Sequence, residues 1–133
     1  YNVRNFNLEE ARRIIKSDPR KLSLDEMYRV AGSYQKGSAE YKQTLAIAAR
    51  TYPAVVAAAV DMAAIQIADG EWDAALQTLL KSDANNAYVQ VAKGYAYAGK
   101  GDVDKARAEW EKAAAQGSAD AKHNLAELAK SLE

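Results

Sequence analysis

Few residues in this chain have the type and spacing for chemistry. His123 lies in "DAKHNLAEL", with Asp120 three positions before it and Glu127 four after. That spacing sets an imidazole and two carboxylates on one helical face, as a metal or acid–base site would require. Three acidic pairs, Glu9/Glu10, Asp25/Glu26 and Asp102/Asp104, offer carboxylates for hydrolysis, which needs two acids held in a cleft with one pKa raised. Ser33, Ser38, Ser82 and Ser118 offer hydroxyl nucleophiles, and Gly99 and Gly101 a turn for a phosphate.

Each feature has a simpler explanation. His123 falls in the last stretch of the chain, where a histidine between two acids reads as a solvated face, so no metal site is assigned. The acidic pairs all stand at the starts of helical patterns, where carboxylates complement the helix dipole and cap free N–H groups. The serines stand at helix ends, and a single distant histidine makes no nucleophilic triad. Gly99 and Gly101 lack the following Gly-Lys-Ser/Thr of a phosphate cradle. The expectation is a chain that is not an enzyme and takes no cofactor.

The elements that carry these residues are helices. Only two prolines occur, at 19 and 53, and no segment alternates apolar and polar residues in the manner of a half-buried strand. Asn7 with Glu10, and Ser23 with Glu26, fit helix-capping pairs, and Pro53 suits a first helical turn. The segmentation is Asn7–Ser17, Ser23–Lys36, Ser38–Tyr52, Pro53–Ala68, Glu71–Ser82, Asn86–Ala98, Asp102–Gln116 and Ser118–Leu132. Eight helices with short loops must run as antiparallel hairpins.

With 133 residues, about half of them hydrophobic, the chain fits one domain with its own core. Its 18 basic and 18 acidic residues balance, so no global field favours nucleic acid or an anionic membrane. There is no cysteine, which removes disulfides and thiolate chemistry. The longest apolar stretch, "PAVVAAAVDMAAIQIA", is interrupted by Asp61 and too short to cross a membrane. The chain opens on Tyr1 without a basic and apolar leader, which reads as a processed or excised piece, any targeting signal having been lost upstream.

The sequence repeats itself. Tyr41, Trp72 and Val103 stand 31 residues apart, and the same step links Thr44, Ala75 and Ala106, then Ala48, Leu79 and Trp110, then Gly32, Ala63 and Gly94. A small residue, a turn, a bulky residue and another small residue at one period mark stacked helical hairpins. Ala75 and Ala106 are where two helices approach closely, and Trp72, Leu79 and Trp110 fill the space between hairpins.

"GYAYAGKGDVDKARAEWEKA" resembles the tetratricopeptide (TPR) repeat, through Gly94, Tyr97, Gly101, Ala106, Trp110 and Ala113. "MAAIQIADGEWDAALQTLL" resembles it through Ala63, Gly70, Trp72, Ala75 and Leu79, with Gln66 where an aromatic is usual. The segment from Asp25 matches less well, with Gly32, Tyr41 and Thr44 but no glycine at the expected place between its helices. The resemblance implies an all-α array of stacked antiparallel hairpins: a capping helix within 1–22, repeats over 25–55, 56–86 and 87–117, and a second cap over 118–133. It also implies that the first helix of each hairpin lines a concave groove for a peptide or protein partner.

Candidate groove residues follow from register. If the 31-residue step holds in the first helices, Lys93 packs while Tyr88 and Tyr95 face the groove. If the stripe Tyr88, Val91, Ala92 and Tyr95 packs instead, Gln90, Lys93 and Tyr97 face it. Arg29 and Asp61 face it in both. The clean glycine alignment favours the first register, with Arg29, Asp61, Tyr88 and Tyr95 as candidates. The lysines and asparagines with which some TPR proteins clamp a terminal carboxylate are absent, because the matching positions read Arg29, Ser33, Val60, Asp61, Ala64, Tyr88, Ala92 and Tyr95.

The words "YNVRNFNLEEA" and "LSLDEMY" resemble a stretch that precedes TPR repeats in cell-envelope proteins of anaerobic gut bacteria. That resemblance implies a periplasmic or outer-membrane-associated setting within a larger protein. The functional expectation is a non-enzymatic interaction module, and the alternative is a structural spacer whose groove is filled by neighbouring domains.

Overall fold

The structure, a computed structural model, describes residues 6–131. Among the described residues it is all helical and contains no strand. The helices are α1 (Leu8–Ser17), α2 (Leu24–Gly32), α3 (Ala39–Thr51), α4 (Val56–Ala68), α5 (Trp72–Leu80), α6 (Ala87–Gly99), α7 (Val103–Ala115) and α8 (Ala119–Ser131). A short 3-10 turn, Pro19–Lys21, joins α1 to α2. The helices pack as hairpins, α2 on α3, α4 on α5 and α6 on α7, with α1 and α8 covering the two ends and α4 lying directly on α6.

The capping chemistry fixes where helices begin. Ser23 and Glu26 form a complete capping box, the Ser23 Oγ accepting from the Glu26 N–H at 3.1 Å and the Glu26 carboxylate from the Ser23 N–H at 2.8 Å. Asn7, Ser38, Asn86 and Asp102 each accept from an N–H of the first turn of the helix that follows, and Ser118 accepts from the Ala121 N–H. Pro53 departs from expectation. It occupies the second position of a turn closed by the Val55 N–H donating to the Tyr52 carbonyl, and α4 starts only at Val56. A proline favours that turn position as readily as a helix start.

The 31-residue step is visible in the helix bounds themselves. α4 and α6 have equal length and starts 31 residues apart, as do the starts of α5 and α7. The first hairpin breaks the pattern, because α2 ends at Gly32 rather than at Lys36. There Arg12 of α1 donates to the Ser33 hydroxyl at 2.9 Å and to its carbonyl at 3.4 Å, and lies 4.5 Å from the centroid of the Tyr34 ring. These contacts hold residues 33 and 34 as a loop, which then turns through Gly37 at φ +85°. A positive φ is nearly free for glycine and costly for other residues.

Close packing of small residues defines the second and third hairpins. Ala63, Ala75, Ala96, Ala106 and Ala113 are fully buried, so helix backbones approach where larger side chains would hold them apart. Two tryptophans fill the hollows left by glycine. A Cβ on Gly94 would run into the Trp110 ring, and one on Gly99 into the Trp72 ring. Trp72 therefore bridges hairpins, as expected. Trp110 mainly fills its own hairpin, its indole N–H donating to the Val91 carbonyl at 3.2 Å, and also clusters with Ala121 of α8. Gln66, standing where an aromatic is usual, instead accepts from the Thr78 hydroxyl at 2.8 Å across the second hairpin.

Two ion pairs tie neighbouring hairpins at the same repeat positions with their charges exchanged. Lys42 of α3 meets Asp69 at 2.8 Å, and Asp73 of α5 meets Lys100 at 2.5 Å. Adding the 31-residue step to Lys42 and Asp69 gives Asp73 and Lys100. The hydrogen bond to Asp73, helped by its charge, raises the Lys100 pKa. Exposed pairs of this kind contribute little to stability.

Candidate binding groove

The first helices of the hairpins share one side of the array, and on it lies a groove of about 860 Å³. Its floor is aliphatic, formed by Val60, Ala64 and Ile67 of α4 and by Val91 and Ala92 of α6. Tyr88 and Tyr95 rise beside this floor, and the turn from Gln116 to Asp120, which opens α8, closes one end. The volume lies within the range of ordinary ligand and peptide sites.

The sequence of α6 determines what faces the groove. Val89, Gln90, Ala92, Lys93, Gly94 and Ala96 are buried, whereas Tyr88 and Tyr95 are 72% and 42% exposed. The helix therefore follows the 31-residue register. Gln90 is accommodated by donating to the Ala84 carbonyl at 3.0 Å and accepting from the Gln116 amide at 2.8 Å. Lys93 is buried along its length, as an aliphatic stem permits. Tyr97 packs half-buried against the core rather than into the groove.

The four candidate residues separate into two pairs. Tyr88 and Tyr95 both line the groove. Tyr95 is also a buttress, standing edge-on to Trp110 with ring centroids 5.7 Å apart, and its hydroxyl lies 3.4 Å from the Asn124 Oδ1. Tyr88 has the larger free surface. Asp61 is next to Val60 on α4 but is engaged elsewhere, its carboxylate accepting from the Tyr28 hydroxyl of α2 at 2.8 Å. Burial, then that hydrogen bond and the Asp61 charge, push the Tyr28 pKa well above the usual phenol range. Arg29 is exposed on α2 with its guanidinium 5.3 Å from the centroid of the Phe6 ring. Neither Arg29 nor Asp61 lines the groove.

The sequence reading missed the partners that hold Arg29 and Asp61. Tyr28 and Asp61 lie on separate helices, 33 residues apart. The only signal was that both stand on successive first helices, Tyr28 on α2 and Asp61 on α4. The reading also missed the contribution of the turn before α8, because Gln116, Gly117 and Ser118 read as an ordinary helix connection.

Most of the remaining candidates for chemistry make structural contacts. Glu9, Glu10, Asp25, Glu26 and Asp104 stand in first helical turns, and Asp102 caps α7. Ser33 is held by Arg12, Gly99 accommodates Trp72, and Gly101 turns the chain at φ +88°. Among the described residues, no group of three His, Cys, Asp or Glu side chains is gathered as a metal site, and His123 is exposed on α8. Among the same residues, no helix is long and apolar enough to cross a membrane. Compared with models of known protein families and with curated proteins, the chain matches none.

Proposed function

We propose that this chain is a non-enzymatic interaction module of the TPR type, which holds a segment of a partner protein in the groove between α4, α6 and the start of α8. The observation that carries the reading is Tyr88. A large ring left 72% exposed beside an aliphatic floor is the kind of surface that gains from being covered, at about 25 cal/mol for each Å² of apolar area removed from water. Tyrosines of this kind often dominate binding energy, because they bring much contact area with few rotatable bonds. The groove suits either an extended peptide or one face of a helix. The N-terminal words support an envelope setting for the parent protein, with this domain as one of its scaffolding parts.

The test is a selection of short random displayed peptides against the folded chain, followed by Tyr88→Ala. Selected peptides are expected to lose about thirtyfold in affinity, the equivalent of ~2 kcal/mol at a binding hot spot. The melting temperature should stay within a degree or two of the parent, because Tyr88 is so exposed. A selection that yields no binder, or binders indifferent to Tyr88→Ala, would favour the spacer reading.

A further inference from the structure

The groove has a sign as well as a shape. Among the described residues that line it, the one charged side chain is Asp120, and no lysine or arginine reaches it. Asp120 enters no ion pair with any described residue. An acid in the first turn of α8 is also expected for the helix dipole, but a dipole partner can stand on any side of the helix. Here the side is specified. Asn124, one turn further on, meets the Tyr95 hydroxyl, and Glu127 continues the same stripe at i+7 from Asp120. The Glu127 carboxylate is 3.5 Å from Lys130 and remains 56% exposed. Glu127 itself does not line the groove, so at its α8 end an otherwise uncharged groove carries a single acid, Asp120.

Resting on the reading of the groove as an interaction surface, we propose that its occupant is an apolar segment of another protein carrying a lysine or arginine beside its apolar side chains. The apolar groups would cover Tyr88 and the aliphatic floor, and the cation would meet Asp120 at the α8 end. This is the opposite polarity to a site that captures a terminal carboxylate. Charge complementarity of this kind acts mainly on partner choice and association rate, so the aliphatic floor and the tyrosines supply affinity while Asp120 selects.

The same displayed-peptide selection tests this through composition rather than mere binding. Sequences dependent on Tyr88 should be enriched in lysine or arginine next to leucine, isoleucine, valine or aromatic residues. One such peptide, made synthetically, should bind Asp120→Asn about two- to fivefold more weakly than the parent chain, the range of a partly exposed charge pair. Asp120→Lys should reverse the preference toward a matched peptide with glutamate in place of its basic residue. Circular dichroism of both variants checks that α8 is intact. Enrichment of neutral or acidic apolar peptides, or unchanged affinity in folded Asp120→Asn, would overturn the inference while leaving the groove's role standing. A selection with no binder would overturn both.

Discussion

Gly32 and Gly94 occupy the same position in the first and third hairpins, 62 residues apart, and their surroundings differ completely. A Cβ on Gly32 would meet nothing within 4 Å, whereas one on Gly94 would collide with Trp110. The third hairpin is assembled by complementary sizes, with a tryptophan seated on a glycine. The N-terminal end is assembled from larger aliphatic groups, with Ile15 of α1 packed among Leu22, Met27 and Val30 and Arg12 fastened to Ser33 and Tyr34. An identical letter at an identical repeat position thus records a packing constraint in one place and only a helix end in the other. The second hairpin stands between them, with Ala63 and Leu79 where the third has Gly94 and Trp110.

The largest expected effect follows directly. Gly94→Ala should destabilise the fold by about 3 kcal/mol, the upper range for overpacking a core, as read from denaturant unfolding. Adding Trp110→Leu reproduces the alanine–leucine pairing of the second hairpin and should recover part of that loss. If Gly94→Ala alone melts like the parent chain, the tryptophan is not seated there. Next in size, Ala75→Leu and Ala106→Leu should each cost about 1–3 kcal/mol, because both positions are fully buried between helices.

A smaller effect separates the ends by pH. The Tyr28 phenol is held neutral in the fold by burial and by Asp61, so its pKa is raised. Below the ordinary phenol pKa of about 10 it is protonated in both folded and unfolded chains. Above it the unfolded chain ionises first, and stability falls as pH rises. The drop in melting temperature between about pH 9 and 11 should be shallower in Tyr28→Phe, and an unchanged drop would mean that the α2–α4 contact is not formed in solution. A further small effect is Gly32→Ala, neutral or stabilising by up to about 1 kcal/mol, since alanine is the better helix former and has room. Asp104→Asn, at a side chain 92% exposed, should stay within about 0.5 kcal/mol.

These contrasts also explain what the sequence made legible. The helical class, most helix starts and the register of α6 follow from capping residues and the 31-residue step, because both act within a few residues or recur along the chain. The early end of α2 was hidden, since it depends on Arg12 reaching Ser33 across 21 positions. For the same reason Tyr28 could not be matched to Asp61. The exchanged ion pairs Lys42–Asp69 and Asp73–Lys100 were in principle readable, because both members move by the same step. They leave no recurring residue type, because the charge reverses at both positions from one repeat to the next. Of the groove, the two tyrosines were legible from register, while the acidic end came from a turn with no periodic signal.

The most direct measurement is an amide chemical-shift map of the chain on titration with a selected peptide. The account predicts that the shifts gather on α4 from Val60 to Ala68, on α6 around Tyr88, Val91 and Tyr95, and on the Gln116–Asp120 turn, with α1 and α3 unmoved. Shifts concentrated on α3, α5 and α7, or spread over the N-terminal end, would contradict it.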